Sequence, residues 1–325
     1  MRAAREVLVL ATGGTIAMAG PRAVPALDAD ALVAAVPDLA DVPGLRAREL
    51  WALPGAHLPL DAVLQVALEA AAAARAGTGV VVTHGTDTLE ETAMLCDLVL
   101  DAEAPVVLTG AIRPGSAAGA DGPANLLDAV AVAAAPESAG FGALVVFGGE
   151  VHAARHVRKV DSTSPVAFGS PAAGPIGRVI EGRPALHLRP VRPRAALAVS
   201  RLDFRVPLIA TALGDDGALL DAAVGDGADG IVLVALGGGH VAPEVLRRVR
   251  EAARRVPVVL AVRPERGAFL AGTYGFEGAE EDLRATGAVP AGALSPQGAR
   301  MKLLACLGAG LDAAGVAAAF ADDAP

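Results

Sequence analysis

The chain reads as an α/β protein, with a larger N-terminal doubly wound, mostly parallel sheet domain and a smaller C-terminal α/β domain. Three observations predict this. Short continuous apolar runs, such as residues 7–10 and 80–82, end in turns rich in Gly and Thr, as parallel strands buried on both faces do. Helix-patterned segments separate these runs, so the order is β-α-β-α-β with short connections, which implies right-handed crossovers. A Pro- and Arg-rich break around 189–205 precedes a second β-α-β unit. The expected domains are 1–190 and 206–325, joined by a linker at 191–205.

The first strand, at 7–10, is closed by Thr12-Gly13-Gly14-Thr15. A helix at 27–33 follows, with Asp28 as its cap. Residues 60–76 repeat apolar side chains at helical spacing, Gly77-Thr78-Gly79 stops that helix, and 80–82 form the next buried strand. Its end reads Thr83-His84-Gly85-Thr86-Asp87-Thr88 and opens a helix at 89–100. Asp87 or Thr88 suits the cap of that helix, and Glu90 or Glu91 complements its dipole. A strand at 105–109 leads into Gly110-Ala111-Ile112-Arg113-Pro114, then a helix from about Pro123 and a strand at 143–147. Residues 149–170 are polar and suit a hairpin or loop. In the second unit the strands are 230–236 and 256–262, with a helix at 243–255 between them and a closing helix from Ser295-Pro296. Ligands of such sheets collect at the carboxyl ends of the strands, where the Gly/Thr turns lie.

Composition narrows the function. Hydrophobic residues make up 53% of the 325 but aromatics only 3%, so small alanine side chains supply much of the close packing. A net charge of −9 and a pI near 5.2 argue against a nucleic-acid partner, and the basic stretch 189–205 reads as a solvated linker. The apolar run at the N-terminus is too short for a secretory leader, and no 18-residue apolar run occurs. A soluble cytoplasmic protein with no membrane partner is expected. Cys96 and Cys306 sit in apolar, helix-like contexts and read as buried thiols.

Two segments carry chemistry. In Thr12-Gly13-Gly14-Thr15-Ile16-Ala17 the glycines let the backbone approach a ligand while Thr15 presents a hydroxyl; the plain alternative is an ordinary strand-to-loop turn. No Gly-Lys-Ser/Thr follows, so this is no phosphate loop, and G-x-G-x-x-G is absent. The second segment, 84–92, sets the Thr86 hydroxyl beside the Asp87 carboxylate. A threonine nucleophile needs a base, and a lysine amine of lowered pKa can serve. Only Lys159 and Lys302 occur among 27 basic residues. An isolated lysine is ordinarily a solvated charge, but Lys159 lies downstream of a strand end. His152 and His156 have the spacing of a helical zinc pair, yet no H-E-x-x-H and no third ligand accompany them. No metal and no cofactor are expected, and the partner is a small molecule.

Thr-Gly-Gly-Thr-Ile-Ala at 12–17 and His-Gly-Thr-Asp-Thr-Leu-Glu-Glu-Thr at 84–92 resemble the two signature blocks of the bacterial asparaginase/glutaminase family. Residues 110–114, 121–126 and 294–300 extend the resemblance over essentially the whole chain, and Lys159 stands where the family keeps its catalytic lysine. The resemblance implies hydrolysis of L-asparagine to L-aspartate and ammonia in a homotetramer, a dimer of dimers. It gives Thr15 the nucleophile's role and joins Thr86, Asp87 and Lys159 in a relay. It places backbone oxyanion donors near Thr15 and Thr86, the substrate α-ammonium at Asp87, and further substrate contacts at Gly14, Gly85 and Ala111. Gly55-Ala56-His57 stands where the family has a carboxylate-holding serine, and His240 where some members have an asparagine from a neighbouring subunit. Glu280 matches an acid that a neighbour contributes, with Glu277 as the other candidate. The family's lid tyrosine has no counterpart, since Tyr274 is the single tyrosine. These departures leave room for the same chemistry on glutamine or another small amide, or for a non-catalytic amino-acid-binding homologue.

Overall fold

A computed structural model describes residues 4–20, 24–25, 27–191 and 195–321, and the chain divides into two compact units after Ala196. The first unit runs β1 (Val7–Gly13), β2 (Met18–Ala19), β3 (Val24–Pro25), α1 (Ala29–Ala34), β4 (Leu45–Leu53), α2 (Leu60–Arg75), β5 (Gly79–Thr83), α3 (Leu89–Val99), β6 (Val106–Thr109) and α4 (Gly122–Ala134). It continues with β7 (Ala143–Phe147), β8 (Glu150–Ala153), β9 (Arg158–Lys159), β10 (Phe168–Gly169), β11 (Gly177–Ile180) and β12 (Arg183–Leu186). Its main sheet has the order β12-β11-β8-β7-β6-β5-β1-β4. The pairs from β4 through β7 are parallel, and β8, β11 and β12 are added antiparallel.

Every residue of β5, β6 and β7 is buried, which is why these strands read as unbroken Val/Leu runs. Alanines on α2, among them Ala67, Ala70, Ala71 and Ala74, are buried. Close approach is also built into Gly79, where a Cβ would stand 2.2 Å from the Ala133 carbonyl of α4. The expected Asp28 cap of α1 forms, with Asp28 Oδ1 accepting the Ala31 N–H at 2.8 Å.

Three strands of the sheet were not expected. β4 reads Leu-Arg-Ala-Arg-Glu-Leu-Trp-Ala-Leu and stands at the sheet edge, where charged side chains face water and the alternation blurs. β11 and β12 form the other edge and are half exposed. The polar stretch 149–170 resolves into β8, turned back on β7 through Gly148 and Gly149, both at positive φ, and into the β9–β10 hairpin.

The second unit has β13 (Leu208–Ala210), α5 (Ala218–Gly225), β14 (Ile231–Ala235), α6 (Pro243–Ala252), β15 (Val258–Val262), α7 (Glu280–Ala285), β16 (Val289–Pro290), α8 (Pro296–Gly308) and α9 (Ala313–Ala321). Its four strands are all parallel, in the order β13-β14-β15-β16. Ser295 caps α8, its Oγ accepting the Gly298 N–H at 2.9 Å. Cys96 and Cys306 are buried thiols, as read, and neither forms a disulfide.

One expectation needs correcting. The stretch 189–205 is not solvated throughout: Val199 and Leu202 are buried, and Ser200 donates through N–H and Oγ to the Gly308 carbonyl. Alternating apolar residues among the arginines seat this part on the second unit. Residues 192–194 of the expected linker lie outside the described residues. Among the described residues no helix is long and apolar enough to cross a membrane.

Candidate active site

The turns after β1, β5 and β6 meet at the carboxyl edge of the first sheet. Thr12 Oγ1 donates to the Thr83 carbonyl at 2.9 Å, tying the end of β1 to the end of β5. Gly14 has φ 82°, and a Cβ there would lie 2.5 Å from Gly85 Cα. A Cβ on Gly85 would in turn fall 2.6 Å from Gly55 N. Three glycines on three loops therefore touch backbone to backbone, which no other residue type permits. Thr15 follows the first of them and opens the 3-10 turn Thr15–Ala17; Thr86 follows the second.

The β6 loop closes over the same edge. A Cβ on Gly110 would stand 2.4 Å from the His84 carbonyl. Asp121 accepts the N–H groups of Ile112 and Arg113 at 2.9 and 2.8 Å. Asn125 donates to the Gly110 carbonyl at 3.0 Å and accepts the Gly148 N–H at 3.0 Å. Ala111, inside this loop, is buried.

Lys159 reaches the edge from β9. Its Nζ donates to Thr86 Oγ1 at 2.9 Å and to Asp87 Oδ1 at 2.8 Å. The Lys159 side chain is 20% exposed whereas Asp87 is 69% exposed, so the carboxylate faces solvent and the amine lies under it. Thr86 is buried. The reading of Lys159 as a solvated charge is thereby replaced by a part-buried amine with two polar partners.

Other expectations fall out differently. Thr88 occupies the N-cap position of α3 but makes no side-chain cap bond; its Oγ1 donates to the Gly55 carbonyl at 3.0 Å. Gly55 is buried, while Ala56 and His57 are exposed on the same short turn. His240 and Glu280 are brought together in the second unit, Nε2 to Oε2 at 3.4 Å. Tyr274 and Phe276 pack edge-on against the His240 ring, 4.9 and 5.1 Å between centroids. Burial pushes the Glu280 carboxyl up, but the N–H groups of Thr273, Tyr274 and Glu280 itself, with His240, outweigh it and hold the pKa below the ordinary value. The zinc-like spacing of His152 and His156 is not helical: His152 lies on β8, buried, with Nδ1 3.1 Å from Ser170 Oγ.

Two participants were not singled out from sequence. His84 is fully buried, its Nδ1 2.8 Å from the Gly85 carbonyl and its Nε2 2.9 Å from Thr92 Oγ1. Burial lowers its pKa to about 4, against a smaller upward effect of the Gly85 carbonyl, so the ring is neutral, with Nδ1–H donating to Gly85 and Nε2 accepting from Thr92. Glu90 accepts the Lys159 backbone N–H at 2.5 Å. Its helix-start position gave no hint of a partner on another strand.

Comparison with known proteins follows the same outline. Residues 6–192 match the family model described as asparaginase, N-terminal, and residues 205–320 match the glutaminase/asparaginase C-terminal domain. A probable L-asparaginase of Deinococcus radiodurans is 40% identical over 94% of this chain and 94% of its own length. A probable periplasmic L-asparaginase of Haemophilus influenzae is 34% identical over 92% of this chain and 87% of its own. The crystal structure of a probable cytoplasmic L-asparaginase from Campylobacter jejuni superposes with a TM-score of 0.88 at 29% identity, covering 98% of this chain and 99% of that one. The class these matches define is that of two-domain α/β amidohydrolases. Within it, the chain belongs to the asparaginase family.

Proposed function

We propose that the protein hydrolyses L-asparagine to L-aspartate and ammonia through a threonine acyl-enzyme, with Thr15 as nucleophile. The observation that carries this reading is the Lys159 amine within hydrogen-bond reach of both Thr86 and Asp87, one residue beyond the Gly14–Gly85 contact. In the first half-reaction Thr15 Oγ bonds to the side-chain amide carbon, its proton passes to the amide nitrogen, and the C–N bond breaks to release ammonia. In the second, water adds to the ester carbon, its proton returns to Thr15, and aspartate leaves. Lys159, once it has lost a proton, is a base for the Thr86 hydroxyl, which relays protons in both steps. The exposed Asp87 carboxylate suits the substrate α-ammonium. Backbone amides at Gly14 and Gly85 turns suit the developing oxyanion.

The same chemistry on glutamine or another small amide is the second reading, favoured by the bare Gly55 backbone, wedged against Gly85, where a carboxylate-holding side chain is absent. Ammonia release from purified protein, compared across asparagine, glutamine and peptide-linked asparagine as kcat/KM, separates the two. No release from any of them, or undiminished release in Thr15→Ala, overturns the proposal. The domains proposed are 1–190 and 206–325, the assembly a dimer of dimers, and the compartment the cytoplasm. Sedimentation of the purified protein and fractionation of the cells test the last two.

A further inference from the structure

Glu90 stands in the first turn of α3, four residues beyond Thr86, and its carboxylate reaches β9 to accept the Lys159 backbone N–H at 2.5 Å. One short segment, 86–90, therefore grips Lys159 at both ends: Glu90 at the backbone, Thr86 and Asp87 at the amine. β9 has little hold of its own. It is two residues long and pairs with β10 through Lys159–Phe168 and Arg158–Gly169, and beyond it the Val160 and Asp161 N–H groups share one acceptor, the Ala167 carbonyl. A lysine side chain has many rotamers, so a loosely held backbone would leave its tip poorly aimed.

The bland role of an acid in a first turn is to complement the helix dipole, and neighbouring Glu91 already offers that. Glu90 and Glu91 are both half-buried, but Glu90 is the one that accepts the Lys159 N–H; partial burial raises its carboxyl pKa above the ordinary value, with Glu91 adding to the rise and the Lys159 N–H and the charges of Arg158 and Lys159 opposing it.

We propose that Glu90 is a positioning residue: by holding the Lys159 backbone amide it sets the Lys159 amine on Thr86 and Asp87. The consequence for turnover rests on the functional reading above; the placement of the amine does not.

The chain's two lysines give a direct readout. Protein grown with ¹³C-labelled lysine shows two side-chain signals, one from Lys159 and one from Lys302, whose Nζ is bonded to the Ala319 carbonyl and serves as internal control. Three variants divide the possibilities. Glu90→Asp keeps the charge and loses the reach, Glu90→Gln keeps the reach and loses the charge, and Glu90→Ala loses both.

The expected result is that the Lys159 signal moves in the Asp and Ala variants, returns toward wild type in Gln, and leaves Lys302 in place. With it, kcat falls about 10-fold or more in Asp and Ala while KM changes little, as misaimed catalytic groups do, and Gln recovers most of the loss. If Ala fails to fold, Asp against Gln decides. A Lys159 signal unmoved in Asp overturns the proposal whatever happens to activity. A shift of both lysine signals together overturns it as well, because it marks general loosening. Movement of Lys159 alone in a protein inactive on every amide upholds the positioning role and removes the functional reading instead.

Discussion

Lys159 Nζ and Thr86 Oγ1 lie 2.9 Å apart across 73 residues of chain, with the amine also on Asp87. Lys159→Met removes this amine and is expected to lower kcat by about 10²-fold or more, the range general acid–base groups contribute. Lys159→Arg is expected not to restore it, because a guanidinium stays charged and cannot accept the proton. Steady-state ammonia release checks both.

The glycine contact between loops predicts a stability difference. A Cβ at Gly85 falls 2.6 Å from the Gly55 amide nitrogen, a backbone atom that cannot swing aside. Gly85→Ala is expected to cost about 1–3 kcal/mol, as overpacking does, and to depress activity by separating the two loops. Gly225→Ala, at the end of α5 with open space around the added methyl, is expected to be neutral or to stabilise by up to about 1 kcal/mol. Urea titration of both variants reads the contrast, and a Gly85→Ala protein as stable as wild type would refute it.

His84 ties stability to pH. Burial lowers its pKa from an ordinary 6.5 to about 4. Above 6.5 the ring is neutral folded or unfolded, and its share of stability is intact. As pH falls from 6.5 toward 4 the unfolded chain takes up the proton first, so stability declines, by about 3 kcal/mol in full. His84→Leu is expected to flatten that part of the profile, measured by chemical denaturation at successive pH values.

A buried ion pair braces the far side of α3. Arg155 and Asp97 have side chains only 6% and 4% exposed, with Nη2 to Oδ2 at 3.3 Å, and Asp97 also accepts the Ala143 N–H at 3.1 Å. Arg155→Leu removes the guanidinium that balances the Asp97 charge and is expected to destabilise by about 3–5 kcal/mol. Replacing both, as Asp97→Asn with Arg155→Leu, is expected to cost less than Arg155→Leu alone. Thermal melts of the single and double variants test the ordering.

Much of this molecule was legible in its sequence. The buried strands β1, β5, β6, β7, β14 and β15 are unbroken apolar runs, and Asp28 and Ser295 cap α1 and α8 through a bond three residues ahead. Burial on both faces and capping are local demands, so they leave a local record. The threonines at 15 and 86 stood out for the same reason: each follows a recognisable strand in a Gly/Thr turn. The edge strands β4, β11 and β12 left no such record, because a half-solvated edge accepts charged and apolar residues alike.

What the tertiary structure alone decided is which distant groups touch. The Lys159 amine meeting Thr86, the Glu90 carboxylate meeting the Lys159 amide, Thr88 turning from its cap to the Gly55 carbonyl, and Gly14, Gly55 and Gly85 converging all join residues on separate loops. Sequence spacing carries no distance between strands that chain closure brings side by side. The candidate residues were thus marked by local pattern, and their contacts were set by the packing of the sheet edge on which they meet.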